Sequence, residues 1–495
     1  MSGHVARNTL YLTMASVGQK ILAFAYFVVL ARILEPERTG AYFLALSITT
    51  IFSVLTDVGV TPVVIRDVAK HPSEAVLLIR RALGVKLPAT LLAMVGAVLA
   101  AKLLGYETSI VILVSLAAFV MAADSISLLY YGALRGSHVL QYESIGVAVG
   151  QAITLLVGGA VLFLVPSLPL LVLTLILGST FNACFSALHA SKKLGREILQ
   201  PMFDRVAARA LLLTALPFAL AGIFVKMFSY ADTLFISKYV GTAAVGVYGV
   251  AYKFTYAFQF LPMAFVAALY PAMSHLVVAD RAKLAKLLDD AFWYMFVIAT
   301  PIVFGLWAVA PQAIALAGDG YAEAVPVLRT LIFVLLPLFL DFPLGSLLNA
   351  SGQQSLKTKI TGLTVIINVI ANAILVPEFG LLGAAWAAEI SFWFLFLATF
   401  ACVHRVLPEY AYTRFLRVAI PFGVSGFFLA GSAHWVVIHM SSSKFGFIAA
   451  VVTGAVVYAI VGFLTGALRK EHLNQLRQVL SGRSADSYAN PSTNT

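Results

Sequence analysis

The sequence predicts an all-α, polytopic membrane protein of about fourteen transmembrane helices. Two six-helix lobes are expected, related by a pseudo-two-fold axis along the membrane normal, with two further helices at the C-terminal end. Three observations carry this. Of 495 residues 61% are hydrophobic and only 11% charged, with a mean hydropathy of +0.94, whereas a soluble domain carries about 25% charged residues. Apolar runs of roughly 20 residues, the length that crosses a bilayer, recur from end to end. The third is an internal duplication: KILAFAYFVVLARILEPERTGAY at 20–42 returns as KMFSYADTLFISKYVGTAAVGVY at 226–248. At that single offset Lys20 falls on Lys226, Arg32 on Lys238, Gly40 on Gly246 and Tyr42 on Tyr248.

Taken in order, the apolar spans cover about 10–34, 41–64, 83–104, 109–134, 144–165, 168–188, 211–236, 243–270, 291–311, 325–348, 360–376, 381–403, 418–440 and 445–468. The first is too long for a signal-peptide core and lacks an A-x-A-like cleavage site, so it reads as a retained span. The connections alternate in charge. One set holds 23 of the 33 Lys and Arg residues. The other holds five: Arg32, Arg38, Lys102, Lys238 and Lys444. By the positive-inside rule both termini are expected in the cytoplasm, in a cytoplasmic (inner) membrane, which an even number of crossings satisfies.

The repeat continues past the first hairpin. Leu134-Arg135-Gly136-Ser137-His138 matches Ala350-Ser351-Gly352-Gln353-Gln354 at the ends of the fourth and tenth spans. Each copy therefore holds six helices, and both enter from the same side. The expected divisions are a first lobe over 1–190, a linker over 191–210, a second lobe over 211–404, two extra helices over 405–468, and a tail over 469–495. Leu194, Ile198, Met202 and Phe203 give the linker an apolar face among basic residues, as on an interfacial helix. The tail repeats that pattern and then, after Gly482, turns polar enough to be disordered.

Several functions are excluded or disfavoured. The nine histidines and two cysteines show no metal-ligand spacing, and no cofactor is expected beyond an H⁺ or Na⁺ gradient or the membrane potential. A phosphate loop of the G-x-x-x-x-G-K-[ST] type is missing, which argues against an ATP-driven pump. The net charge of +11 resides in the cytoplasmic connections, so it does not signal nucleic acid.

Five cations lie inside spans: Lys20, Lys86, Lys226, Lys253 and Arg329. A cation in lipid costs a few kcal/mol or more unless it faces water or a partner. At about 1.5 Å per residue, Lys20 and Lys226 each lie roughly 18 Å below the outer surface and Lys253 roughly 15 Å. All three are expected to bind an anion at the midplane, with Arg32 and Arg329 nearer the outer end. Lys86 sits close to the inner end, where snorkelling explains it. The acidic residues Asp57, Asp124, Asp232, Asp341 and Glu389 are candidates for ion coupling or for counter-ions, and Asp57 is within reach to cap a helix or pair with Arg66. Clustered cations match the delocalised charge of a diphosphate.

The stretches ARILEPERTGAYFLALSITTIFSVLTDVGV at 31–60 and IRDVAKH at 65–71, behind Asn8-Thr9-Leu10 and Lys20, resemble polysaccharide flippases of the Wzx type. These belong to the multidrug/oligosaccharidyl-lipid/polysaccharide (MOP) exporter superfamily. LFISKYVGTAAVGVYGVAYKF at 234–254 and the NASGQQ turn at 349–354 look like the matching second-half region. The resemblance spans the whole chain through diffuse motifs. It implies alternating access and export of a lipid (undecaprenyl) diphosphate-linked oligosaccharide for polysaccharide or cell-envelope biosynthesis. It further implies membrane lipids and polysaccharide polymerase or assembly proteins as partners. Family members use cavity arginines, whereas this chain has lysines at 20, 226 and 253. A lipid II flippase, which also has fourteen helices, and a multidrug antiporter are alternatives. A membrane glycosyltransferase or ligase is disfavoured, because the outer connections are short and the longest offers only Asp319 and Glu323.

Overall fold

Proline and glycine punctuate a chain that is otherwise helical almost throughout. The computed structural model describes residues 2–440 and 446–468. The expected tail over 469–495, together with Lys444, lies outside the described residues.

Sixteen α-helices follow in order: α1 (Ser2–Asp57), α2 (Val60–Lys70), α3 (Ala75–Leu103), α4 (Thr108–Gly136), α5 (Gln141–Leu164), α6 (Leu168–Leu194), α7 (Arg205–Tyr239), α8 (Thr242–Tyr256), α9 (Phe260–Ala279), α10 (Arg281–Ala308), α11 (Ala310–Ala315), α12 (Ala324–Leu331), α13 (Leu335–Ala350), α14 (Gln354–Ala401), α15 (Tyr412–His439) and α16 (Gly446–Leu464). Among the described residues there is no strand. Among the described residues eleven segments are long and apolar enough to cross a membrane. Two of them each contain two crossings. In α1 the path reverses at Glu35 (φ 62°), which precedes Pro36, because proline pushes the residue before it out of the α region. In α14 it reverses at Gly380 (φ 57°). The broken pair α8–α9 supplies one more crossing, which brings the total to the expected fourteen.

The break in α8–α9 was not expected within a span of 243–270. Its cause is Pro262, whose missing N–H leaves the Phe258 carbonyl without its helical donor. Leu261 N–H closes a tighter turn onto Phe258 instead, at 3.1 Å. The second span also breaks, at Val58 (φ 46°) and Gly59 (φ 72°). A β-branched residue seldom adopts positive φ, so this corner is held by its surroundings.

Contacts divide the described residues into two compact units. The first draws on Met1–Ala257, Ile314–Val327 and Thr361–Ser391, the second on Phe258–Ala313, Leu328–Ile360 and Phe392–Thr495. This grouping by contact differs from the division by repeat, because α7 and α8 pack with the N-terminal helices. In the first unit Val60, Val64, Ile79, Leu83, Leu129, Leu134 and Ile198 form one buried cluster. In the second, Phe292, Phe296, Phe400 and Phe415 meet ring to ring at 4.9–5.9 Å. Between helices in lipid such packing stabilises by close contact rather than by water exclusion.

The linker after α6 is a short 3₁₀ turn, Arg196–Leu199, followed by extended chain. It forms no long amphipathic helix. Ile198 is buried in the core, Met202 N–H donates to the Arg80 carbonyl at 2.9 Å, and Phe203 of the four expected apolar-face residues is exposed.

Candidate functional site: a polar cavity in the first unit

The second half of α1, with α2, α4, α7 and α8, encloses a cavity of about 820 Å³. Its α1 wall carries a run of hydroxyls, Ser47, Thr50, Ser53 and Thr56, three residues apart and all lining the cavity. Thr50, Ser53 and Thr56 donate back to Leu46, Thr50 and Ser53 carbonyls at 2.6–2.8 Å. That bond consumes their protons and leaves oxygen lone pairs free to accept.

The opposite wall is charged and aromatic. Lys226 Nζ stands 5.9 Å from the centroid of the Tyr230 ring, one turn along α7, a cation–π arrangement. Lys253, on α8, is exposed to the cavity. Neither lysine has a carboxylate within 4.0 Å among the described residues. Asp232 is buried, 5% exposed, and accepts the Tyr248 hydroxyl on Oδ2 at 2.7 Å. Its Oδ1 has no hydrogen-bond partner among the described residues. Tyr248 and Tyr252 line the same wall, and Tyr252 stacks on Tyr256 at 4.2 Å between centroids. Asp124 reaches the cavity from α4 and is exposed there.

Asp57 closes one end of the α1 wall. Its Oδ2 accepts the Thr61 N–H at 3.3 Å, capping α2, and its Oδ1 binds both Lys86 and the Thr61 hydroxyl. Of the two roles expected for Asp57, the cap is the one found, since Arg66 pairs with its neighbour Asp67 at 2.6 Å. A second expectation is corrected. Lys86 does not snorkel: α3 begins at Ala75, so this lysine lies three turns inside the helix, 2% exposed, and a charge so placed requires its partner.

The cavity thus gathers Lys226, Lys253, Asp57, Asp124 and Asp232 from the expected site residues. Lys20 is exposed on the first half of α1, outside the lining, because only the half after Glu35 faces the cavity. Arg32, near the end of that first half, packs beside Gly318. Glu389 is half-buried on α14 and is not a lining residue. Two more belong to the second unit. Arg329 lies 5.0 Å from the centroid of the Trp307 ring and donates to the Trp307 carbonyl at 3.3 Å. Asp341 is held by Lys357 at 2.5 and 2.7 Å, which also donates to Thr399. The hydroxyl run escaped sequence reasoning, although the threefold spacing from Ser47 to Thr56 was its signal.

The sequence matches the family model described as "Polysaccharide biosynthesis protein" over residues 5–277, more than half of the chain. The chain belongs to that family. A second model, MatE, matches residues 217–374. Family relatives include the probable low-salt glycan biosynthesis flippase Agl15 of Haloferax volcanii, 21% identical over 94% of each chain. The probable flippase AglR of the same organism is 30% identical over 168 residues, and this match spans only 35% of AglR. Among solved structures, the lipid II flippase MurJ in an inward closed conformation superposes with a TM-score of 0.73 at 14% identity, covering 92% of this chain and 98% of that one. The polysaccharide biosynthesis family member described here therefore has the fold of MurJ, and it is a multi-pass membrane protein.

Proposed function

We propose that this protein is a secondary transporter that flips a lipid diphosphate-linked oligosaccharide across the cytoplasmic membrane by alternating access. The observation that carries the reading is Lys226 and Lys253, two cations on one cavity wall with no carboxylate within 4.0 Å of either among the described residues. A charge left in that state is stabilised when an anion enters, and phosphate oxygens can take ammonium and hydroxyl contacts together. The names of Agl15, AglR and the succinoglycan transport protein ExoT of Rhizobium meliloti support a glycan substrate. Nothing in the reading requires bond making, so the protein acts as a transporter rather than an enzyme. Both termini lie in the cytoplasm on the charge asymmetry of the connections, and polymerase or assembly proteins would receive the glycan.

Coupling is assigned to Asp232. A buried carboxylate with one oxygen hydrogen-bonded and the other unfilled can take a proton or a sodium ion, and its seat on the wall of the lysines links ion and substrate. One observation favours a second reading: Asp124 and Asp232 in the same cavity suit an organic cation, as in multidrug antiport.

Reconstituted proteoliposomes decide between them. Flipping of a fluorescent lipid-diphosphate oligosaccharide should occur with the wild type and fall at least ten-fold in the Lys226→Ala, Lys253→Ala double variant. Unchanged flipping in that variant, or exchange of a cationic dye without any lipid flipping, would reject the proposal.

A further inference from the structure

The second unit holds a separate pocket of about 210 Å³, where the first third of α10 meets the start of α15 and the turn after α16. It is unrelated to the cavity lysines. Its lining is charged on two walls. On one, Asp289 is fully engaged, with Oδ1 accepting Tyr410 O–H at 2.7 Å and Oδ2 accepting Arg414 Nε–H at 3.2 Å. On the other stand Arg414 and Arg417, three residues apart on α15 and therefore neighbours on one helix face. Arg417 is exposed and has no hydrogen bond or ion pair among the described residues. Arg414 already has Asp289 as its counter-ion, so the uncompensated charge on this face is that of Arg417, and an anion seated beside it would neutralise that charge.

The floor of the pocket is built to stay open. Trp293 donates its indole N–H to the Ala467 carbonyl at 2.7 Å, fixing the turn after α16. That turn passes through Gly466 at φ 74°, where a side chain would be strained. Within three residues of the lining along α15 and α16 the chain turns to exposed apolar residues. Leu416 and Ile420 on α15 and Phe463 and Leu464 on α16 are exposed apolar residues, suited to hydrocarbon. A tryptophan, two arginines and an apolar rim are the elements of a headgroup-level site.

We propose that this pocket binds the headgroup of a phospholipid, with its phosphate on Arg414 and Arg417 and its acyl chains along α15 and α16. A guanidinium pair grips two phosphate oxygens in a way that lysines cannot. The phosphate chemistry alone would also fit a free phosphate ion, but the apolar rim would then have no role.

The test uses the full chain, stripped of lipid in detergent. Native mass spectrometry is run with added phosphatidylethanolamine or phosphatidylglycerol, and in parallel arms with inorganic phosphate and glycerol 3-phosphate. Wild type should bind one phospholipid that resists dissociation, and Arg417→Gln should bind it about ten-fold more weakly, as loss of one charged hydrogen bond implies. Arg417→Lys should fall between them, and Lys102→Gln, a basic change elsewhere, should match wild type. Equal affinity of wild type and Arg417→Gln would overturn the site. Competition by millimolar inorganic phosphate, with no preference for lipid, would overturn the lipid assignment.

Discussion

Gly40 and Gly246, equivalent positions of the internal repeat, pack backbone against backbone. A Cβ added at Gly40 would meet the Thr242 carbonyl and stand 2.9 Å from Gly246 N. One added at Gly246 would meet the Pro36 carbonyl and stand 2.9 Å from Gly40 N. The contact is reciprocal, as a two-fold relation between copies requires. Tyr321 reinforces this end of the first unit, donating to the Ala31 carbonyl at 3.0 Å beside Thr39.

Either glycine should therefore tolerate no side chain. Gly40→Ala or Gly246→Ala forces two backbones apart, and overpacking of this kind costs about 1–3 kcal/mol. A melting temperature several degrees below wild type is expected from differential scanning fluorimetry of the purified protein. If the helices separate here during transport, cysteines at Arg38 and Thr242 should cross-link and block it. Undiminished transport by the cross-linked protein would rule out movement at this seam.

The Asp57–Lys86 pair gives a second expectation. Its side chains are 19% and 3% exposed, so Lys86→Met alone leaves a buried carboxylate and should cost about 3–5 kcal/mol. Asp57→Asn combined with Lys86→Met should recover most of that loss, since no uncompensated charge remains. The readout is the yield and melting temperature of the two single variants and the double. A double variant no better than Lys86→Met would mean that Lys86 has another role.

Depth along a span was legible in the sequence, whereas direction around the helix was not. Hydropathy gave about fourteen crossings, which the helices match, and put Lys20, Lys226 and Lys253 near one level. In helices that are apolar all round, no periodicity marks the inward face. Lys20 and Lys226 therefore looked equivalent, yet only Lys226 lines the cavity. The ion pair between Asp57 and Lys86 was hidden for a related reason. It joins residues 29 positions apart, and the early start of α3 moved Lys86 from a helix end to its interior. The break near Pro262 carried a local signal in the proline itself, submerged in a continuous apolar run.

Outside the membrane, Asp204 caps α7. Its carboxylate accepts the Ala207 and Val206 N–H groups at 3.1 and 3.0 Å, with Arg81 at 3.3 Å. The backbone donors, led by Ala207 and aided by Arg81, hold its pKa below the ordinary carboxylate value near 3.9. A lowered folded-state value stabilises above the unfolded pKa, and the contribution disappears as pH falls through the folded one. Asp204→Ala should speed amide exchange at Val206 and Ala207 near neutral pH, while Asp204→Asn, which can still cap, should not. Exchange as slow in Asp204→Ala as in wild type would remove the cap from the account.

The orientation inferred from the basic connections can be read by thiol labelling. Glu197 and Lys102 are exposed and fall in opposite sets of connections. With Cys184 and Cys402 first replaced by serine, Lys102→Cys should react with an impermeant maleimide in intact cells, and Glu197→Cys only after permeabilisation. The reverse pattern would invert the topology.

The cavity lysines allow function and stability to be separated. A lysine holding a structural counter-ion destabilises the protein when removed, and removing its partner restores it. Among the described residues Lys226 and Lys253 have no carboxylate within 4.0 Å, so Lys226→Ala and Lys253→Ala should melt within about 0.5 kcal/mol of wild type, the range of changes outside special contacts. Transport should nonetheless fall at least ten-fold in each. Lys→Arg should retain part of the activity, since charge persists with a different fork geometry. Asp232→Asn added to Lys226→Ala should not rescue, because Asp232 is bound to Tyr248 rather than to the lysine. Complementation of a flippase-deficient strain at matched expression, beside melting curves of the same variants, measures both sides. Rescue by the second substitution would make Lys226 a counter-ion and remove it from the substrate site.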